Sequence, residues 1–341
     1  MPKPVFFLHV SSSGGTSVCQ WAQSQPCARV PACGANCNLN CRHPWDWRNS
    51  CRPPACELPS RGCRPPHQAG CDGLVRYAER RNLSFLASET FLHEPPCLGH
   101  FRYIALLRDP VERIVSQLER TSAQPNTRLR ELMNAPWVFN TSESSSLMGT
   151  AALDNYLTRL LLGAPVFFLP LRGINSSHLE AASQVLAAFA AAVPIDRLDE
   201  PATVSWLRTT LGWQGAPERR NSHHSSRHHH HERHQPGTHA LGERSMRALV
   251  ELNRHDRRLL SEARARLDAK VGAMVGAARG TTSSAPPHEQ SVGEARGGAS
   301  GSREERAWEG GERLGERAAA CVRQCTTAKA AWHLGAARRR S

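Results

Sequence analysis

Residues 5–17 read VFFLHVSSSGGTS, an apolar run that leads into a turn rich in serine and glycine, and a segment compatible with a helix follows at residues 18–23. A strand, a flexible loop and a helix start in that order bring backbone N–H groups and the positive end of the helix dipole to one point, which favours a bound phosphate or sulfate. Gly14 and Gly15 allow the backbone to approach such an anion closely. The alternative interpretation is an ordinary strand-to-helix turn, because serine and glycine are common in turns.

Residues 102–116, RYIALLRDPVERIVS, support the anion site from a distant part of the chain. Residues 103–107 form a short apolar run that is typical of a buried parallel strand. Arg108 follows that run, Asp109 is suited to cap the next helix, and Pro110 suits its first position. Because ligands of open α/β sheets bind beyond the carboxyl ends of the strands, we expect Arg108 to lie at the site.

Ser116 is placed to act together with Arg108. It comes about two helical turns later, so it is expected on the same side of the helix as the helix start. An arginine and a serine there would bind a second phosphate. The alternative is a surface ion pair between Arg108 and Asp109 or Glu112.

The two segments together resemble the sulfotransferases that use 3′-phosphoadenosine-5′-phosphosulfate (PAPS), in the carbohydrate branch related to heparan sulfate 2-O- and 6-O-sulfotransferases. In that family a loop reading approximately His-Ile-Pro-Lys-Thr-Gly-Gly-Thr-Ser binds the 5′-phosphosulfate. A second segment, Leu-Arg-Asp-Pro-Val-x-Arg-x-x-Ser, binds the 3′-phosphate. Leu107 to Ser116 matches the second pattern at every defined position, and His9 with residues 14–17 matches the first.

The resemblance extends, less specifically, to residues 153–161, LDNYLTRLL, which look like the family's Asn-x-x-x-Arg helix near the nucleotide. For Arg159 the alternative is a role on the helix surface. The resemblance implies a P-loop-type α/β sandwich that binds PAPS as co-substrate, without a metal. The cofactor-binding residues that it implies are Ser12, Ser13, Gly14, Gly15, Thr16, Ser17, Arg108, Ser116, Asn155 and Arg159.

The first loop departs from the family pattern, because Ser12 stands where the family has lysine. That lysine offsets the negative charge that develops on the leaving group, and losing such a donor typically costs about 100- to 1,000-fold in rate. The chain has only three lysines, Lys3, Lys270 and Lys329, and none is near the loop in sequence apart from Lys3, which precedes the first strand. Nucleotide binding is therefore better supported than catalysis.

Transfer of a sulfuryl group to a hydroxyl needs a base that takes the acceptor proton. Two catalytic residues are proposed for this role. Glu89 follows the second predicted strand, and His100 precedes the third in a Gly-His pair reminiscent of the family. The alternatives are a solvated glutamate and a structural histidine. We expect His9, at the end of the first strand, to pack beneath the loop.

Nine of the twelve cysteines fall between Cys19 and Cys71. Such density with little apolar periodicity favours a disulfide-stapled insert, with zinc binding as the alternative, since the cysteine intervals lack the paired short spacings of zinc sites. Cysteines and three N-glycosylation sequons are compatible with the secretory pathway, and the family resemblance implies the Golgi lumen. Association with a membrane is expected only through an N-terminal anchor that this chain lacks. A soluble cytosolic protein is the alternative.

The predicted organisation is an α/β sulfotransferase domain at residues 1–271 and a disordered low-complexity tail at residues 272–341. Within the domain, residues 24–72 form the cysteine-rich insert and residues 215–240 a disordered loop rich in histidine, for which metal binding is the alternative. Alternating short apolar strands and helices indicate a parallel sheet covered on both faces. The strands are predicted at residues 5–10, 84–87, 102–107, 166–169 and 193–197. The helices are predicted at residues 16–23, 110–120, 150–162, 177–191, 200–211 and 241–271.

Four functions follow from these patterns. The first is a PAPS-dependent sulfotransferase that acts on a glycan hydroxyl, and the second is a homologue that binds PAPS or glycan without turnover, because of Ser12. A P-loop nucleotide hydrolase is disfavoured, since the loop lacks the Gly-Lys-Ser/Thr triplet. A zinc module that binds nucleic acid is the least favoured, although the formal net charge is +13, because arginine is abundant throughout the chain. A nucleic-acid partner is therefore not expected.

Overall fold

A sheet of four parallel strands positions the candidate site. The central strand β1 (Val5–Leu8) pairs with β2 (Phe85–Ser88) on one side and with β3 (Arg102–Leu107) on the other. The strand β4 (Ala191–Pro194) pairs with β3, so the order is β2-β1-β3-β4. The chain leaves β1 toward one edge of the sheet and continues from β3 toward the other. The carboxyl ends of β1 and β3 therefore flank the topological switch point, where open α/β sheets bind their ligands.

The computed structural model describes residues 3–26, 28–31, 37–39, 70–92, 96–122, 124–134, 150–218 and 241–280. The chain divides into one unit of residues 1–24 and 28–272, and a second unit of residues 25–27 and 273–341. Three predicted regions lie wholly or mainly outside the described residues. These are most of the cysteine-rich insert, the histidine-rich loop beyond residue 218 and the tail beyond residue 280.

Ten helices are present among the described residues. In chain order they are α1 (Gly15–Gln23), α2 (Gly70–Arg80), α3 (Pro110–Thr121), α4 (Pro125–Asn134), α5 (Tyr156–Leu162), α6 (Ala164–Phe167), α7 (Ser176–Ala187), α8 (Pro201–Leu211), α9 (Glu243–Leu252) and α10 (Arg254–Gly280). Two turns of 3₁₀ helix lie at Thr150–Leu153 and Ile195–Arg197.

Side chains of the strands alternate between two apolar layers, as the period of a strand requires. Phe6 and Leu8 belong to the main core, which also contains buried residues of α2, α3, α5 and α10. Phe7 lies on the other face, where its ring stacks on Phe85. The ring of Phe85 in turn contacts Trp213, just after α8. Helices therefore cover both faces, and the predicted α/β sandwich with a central parallel sheet is confirmed.

The strand predicted at residues 166–169 is wrong. Residues 164–167 form α6, and the carbonyls of residues 166, 167, 169 and 170 all accept hydrogen bonds from the guanidinium of Arg159. Carbonyls of an extended strand alternate in direction, so they could not converge on one side chain. The hydrogen bonds of the buried arginine therefore stabilise a helical turn here, although the apolar run is typical of a strand.

Other predicted elements differ in their bounds. The helix predicted at residues 150–162 is interrupted by Asn155, whose φ of 49° is left-handed, and the helix predicted at residues 241–271 is divided at Asn253. Helix α10 continues to Gly280, past the predicted end of the domain at residue 271. Helices α2 and α4 were not predicted, and α2 already includes the last three residues of the predicted insert, 70–72.

Two disulfides join the cysteine-rich region to the sheet. Cys19 of α1 pairs with Cys37, and Cys71 of α2 pairs with Cys97, which precedes β3. The remaining cysteines lie outside the described residues. Within the described part of the chain, no cluster of three or more histidine, cysteine or acidic side chains could hold a metal ion. None of the described helices is both long enough and apolar enough to cross a membrane.

Candidate functional site

The loop between β1 and α1 forms a tight turn at the carboxyl edge of the sheet. Ser13 N–H donates to the carbonyl of Val10 at 3.1 Å. Ser12 and Gly14 both have left-handed backbones, with φ of 59° and 82°. This is the conformation that favours glycine, so Ser12 occupies a position at which an ordinary side chain is uncommon. The turn brings the chain back above the end of β1, where α1 begins.

Gly15 opens α1 directly above the side chain of His9. A Cβ atom at position 15 would lie 1.9 Å from Nε2 of that histidine, so only glycine fits. His9 is 4% exposed, which agrees with its predicted place beneath the loop. The backbone N–H groups of Gly14 and Gly15 donate to no atom of the described residues. They belong to the amino end of α1, where unpaired N–H groups are available to an anion.

Arg108 reaches from the end of β3 to this loop. Its guanidinium donates to the carbonyl of Ser12 at 3.3 Å and lies 3.5 Å from the carboxylate of Glu112. The side chain is 29% exposed, so the guanidinium stands at the surface of the site. The alternative to anion binding, the ion pair with Glu112, is present, and the guanidinium is only partly covered by it.

Helix α3 begins beside Arg108 and is capped as the sequence indicates. The carboxylate of Asp109 accepts hydrogen bonds from the N–H groups of Val111 and Glu112, at 2.9 and 3.1 Å. Ser116 is half-buried on α3, one turn beyond Glu112 and hence on the same side of the helix. Ser116 therefore lies on the same side of α3 as Glu112, which is in the first turn of the helix, as predicted.

Gln117 connects α3 to the loop after β1. Its Oε1 accepts a hydrogen bond from Ser12 Oγ at 2.6 Å and lies 3.4 Å from Ser11 Oγ. No local pattern in the sequence points to Gln117, because a contact between positions 12 and 117 depends on the pairing of β1 with β3. The contact ties the serines of the loop to the helix that follows Arg108.

Arg113 supplies a second positive charge behind Arg108. It is 2% exposed, donates to the carbonyl of Ala152, and stands 4.6 Å above the ring of Tyr156. Burial lowers the pKa of Arg113, and the neighbouring charge of Arg108 lowers it further. This arginine belongs to the motif that matched at every defined position, although no role was predicted for it.

Glu89 lies at the carboxyl end of β2, on the same edge of the sheet. Its Oε2 accepts a hydrogen bond from Asn38 Nδ2 at 3.0 Å and is 3.7 Å from His9 Nδ1. The side chain is 13% exposed. Burial raises the pKa of the nearby Tyr156 phenol, and the negative charge of Glu89 raises it further. The tyrosine therefore stays neutral, and Glu89 lies beside His9 beneath the loop.

The structure does not bring His100 to the site. His100 is exposed in the turn before β3, where its backbone N–H donates to the carbonyl of Cys97. It therefore lies at the amino end of the strand, whereas Arg108 lies at the carboxyl end, about 20 Å away for a strand of six residues. At that distance from the loop, His100 cannot be the base.

Asn155 is used within the fold and not at the nucleotide site. It is 3% exposed. Its Nδ2 donates to Leu252 O at 2.6 Å, and its Oδ1 accepts from the N–H groups of His255 and Asp256 at 3.0 and 3.1 Å. Asn155 thereby joins the start of α5 to the junction between α9 and α10. No polar atom of this side chain is left to contact a nucleotide.

Arg159 is likewise internal, contrary to both of its predicted roles. The side chain is fully buried, and it pairs with Asp154 Oδ2 at 2.7 Å. The other N–H groups donate to backbone carbonyls, of Asp154 at 2.7 Å and of the segment from residue 166 to residue 170. An arginine has five donors, and here all are engaged inside the protein.

No described lysine replaces the one that the loop lacks. Lys3 precedes β1, and Lys270 donates to Ala190 O, just before β4, so both lie toward the amino end of the sheet. At the carboxyl edge, Arg108 is the described cation with a hydrogen bond to the loop, through the carbonyl of Ser12.

Comparison with known proteins adds little to this geometry. No protein-family model matches the chain. No curated protein matches it either. Among solved structures, a sulfotransferase from Alicyclobacillus acidocaldarius aligns with 80% of this chain and 97% of its own, at 13% identity and a TM-score of 0.33.

Proposed function

We propose that the protein is a sulfotransferase that transfers a sulfuryl group from PAPS to a hydroxyl of a glycan. The observation that carries the proposal is the meeting of Gly14, Gly15 and Arg108 at the switch point of the sheet. Two backbone N–H groups that donate to no described atom, the amino end of α1 and a half-buried guanidinium converge there, and together they suit a doubly phosphorylated nucleotide.

The residues divide into two anion sites. The loop of residues 11–17 would hold the 5′-phosphosulfate through its backbone, with hydroxyl groups from Thr16 and Ser17. Arg108 and Ser116 would hold the 3′-phosphate. Because Arg108 contacts the carbonyl of Ser12, the same cation stands close to the position of the missing lysine and would offset part of the charge there.

Glu89 is the proposed general base. In the reaction the acceptor oxygen bonds to sulfur while the bond between sulfur and the 5′-phosphate oxygen breaks. The acceptor proton passes to Glu89, and adenosine 3′,5′-bisphosphate leaves with the electron pair of the broken bond. The carboxylate lies at the carboxyl end of β2, next to β1, so it adjoins the loop that would hold the reacting group.

A carbohydrate acceptor is supported by an exposed aromatic ring near the base. Phe168 is 42% exposed, and its ring lies 5.7 Å from that of Phe91, two residues after Glu89. Such a ring offers an apolar face to a sugar. The two disulfides support an oxidising compartment, and we place the protein in the Golgi lumen on that ground and on the family resemblance.

Loss of Arg108 is expected to weaken nucleotide binding. Arg108→Ala removes a charge-assisted contact, and the affinity for adenosine 3′,5′-bisphosphate should fall about 10- to 100-fold. Titration calorimetry at fixed ionic strength measures this. Arg128→Ala on α4 removes the same charge from an exposed pair with Glu131 and should leave the affinity unchanged. Equal affinities for the two variants would remove Arg108 from the site.

Restoring the family lysine is expected to accelerate transfer. Purified protein and Ser12→Lys are incubated with radiolabelled PAPS and a glycan panel, and the variant should turn over about 100-fold faster or more. Ser12→Met, which has a similar length and no charge, should not gain activity. Product from the lysine variant alone would establish the second function, a homologue that binds PAPS without turnover, for which Ser12 is the supporting observation. Equal rates for lysine and methionine would show that the charge at position 12 is irrelevant.

A further inference from the structure

Asn38 and its two neighbours, Cys37 and Leu39, are held from two sides. Cys37 is bonded to Cys19 of α1, and both cysteines are fully buried. On the other side, Asn38 forms an isolated parallel bridge with Ala87 of β2, and Leu39 N–H donates to the carbonyl of Ala87 at 2.7 Å. The segment therefore extends the edge of the sheet beside β2. Its place is set by a covalent bond and by backbone pairing together.

The side chain of Asn38 connects two titratable groups of the site. Its Oδ1 is 3.1 Å from His9 Nδ1, and its Nδ2 donates to Glu89 Oε2 at 3.0 Å. An amide oxygen only accepts hydrogen bonds and an amide nitrogen only donates them. His9 must then carry a proton on Nδ1. The reverse orientation of the amide would place its oxygen against the carboxylate, where two acceptors would face each other, so the chemistry of Glu89 selects the orientation.

The amide also limits how Glu89 can move. Without Asn38, the carboxylate would be free to turn toward His9, whose Nδ1 is 3.7 Å from Oε2. With Asn38 in place, Oε2 is held by an N–H donor. Glu89 Oε1 has no hydrogen-bond partner among the described residues, so it remains available to accept a proton.

We propose that Asn38 is a positioning residue that holds one oxygen of Glu89 so that the other faces the acceptor hydroxyl. The inference rests on the proposed function, because it assigns a task to the base of that reaction. Asn38 touches neither substrate in this role. It acts through the rotamer of Glu89 and through the proton on His9, and it does so from a segment that the Cys19–Cys37 disulfide keeps in place.

Two substitutions separate the contact of Asn38 with His9 from its contact with Glu89. Asn38→Asp has the same shape and keeps an acceptor toward His9 Nδ1, but it loses the donor toward Glu89. Asn38→Ala loses both. For each variant kcat should fall at least about tenfold, whereas KM for PAPS and the affinity for adenosine 3′,5′-bisphosphate should stay within about twofold. The ¹⁵N NMR signal of His9 Nδ1–H should persist in both variants, and it should shift in Asn38→Ala, where the carboxylate of Glu89 replaces the amide oxygen as its acceptor.

The control variant is Leu39→Val, which disturbs the same segment through a buried side chain that makes no polar contact. It should lower the thermal stability and leave kcat unchanged. Parental kcat in Asn38→Asp, or an unchanged His9 signature in Asn38→Ala, would overturn the proposal. Failure of the parental protein to form any sulfated product would instead overturn the proposed function. The NMR comparison would still decide whether Asn38 accepts a hydrogen bond from His9.

Discussion

Arg159→Met is expected to lower the free energy of unfolding by about 3–5 kcal/mol, the usual cost of breaking a buried ion pair from one side. Methionine fills a similar volume but has no donors. The carboxylate of Asp154 and the carbonyls collected by the guanidinium would remain buried without them. Because small domains are stable by only about 5–15 kcal/mol, this loss is a large fraction of the total. Urea denaturation followed by tryptophan fluorescence measures it.

Two further variants test the reason for that loss. Arg128→Met on the exposed face of α4 should change the stability by less than about 0.5 kcal/mol. Arg159→Lys keeps the charge but provides fewer donors, so its stability should lie between those of the parental protein and Arg159→Met. A stability loss below about 1 kcal/mol in Arg159→Met would contradict the internal role. Any Arg159→Met protein that remains folded should bind adenosine 3′,5′-bisphosphate as the parental protein does.

Glu89→Gln is expected to lower kcat about 100- to 10,000-fold, the contribution of a positioned general base. Glutamine has the same shape and still offers an oxygen to Asn38 Nδ2, but it cannot take a proton. The affinity for adenosine 3′,5′-bisphosphate should therefore not change. Single-turnover transfer from radiolabelled PAPS gives the rate of the chemical step, and calorimetry gives the affinity.

Glu112→Gln is the matched control for Glu89. It removes a carboxylate from the same edge of the sheet, but this one is 66% exposed and pairs with Arg108. Its loss should change the affinity for the nucleotide only slightly, since exposed pairs contribute about 0–1 kcal/mol. If Glu89→Gln retained more than a tenth of the parental kcat while Glu112→Gln did not, the base would have been assigned to the wrong glutamate.

The sequence predicted the parts of the site whose signals are local. The bounds of β3 were correct to the residue, since an apolar run ends at Leu107 and the cap of the next helix begins at Asp109. The loop after β1 and the placement of Arg108 followed from the same kind of pattern. Each depends on a few neighbouring residues, and the rule for open α/β sheets then brings the strand ends together.

The parts that the sequence did not predict depend on contacts between distant positions. Gln117 reaches the site through the pairing of β1 with β3, and Asn38 through a disulfide and its pairing with β2. No local pattern in the sequence predicts either contact. Asn155 and Arg159 matched a family motif, yet their partners, at residues 166–170 and 252–256, decide that they are structural. His100 could have been excluded from the sequence, because a residue that precedes a parallel strand lies at the opposite end from one that follows it.

The bond between Cys19 and Cys37 should make the rate of transfer sensitive to reduction. Asn38 follows Cys37 directly, so reduction of this bond would remove one of the two constraints that place its amide beside Glu89. If Asn38 positions the base as proposed, transfer by the reduced protein would be slower than transfer by the oxidised protein, whereas the affinity for the nucleotide would be unchanged.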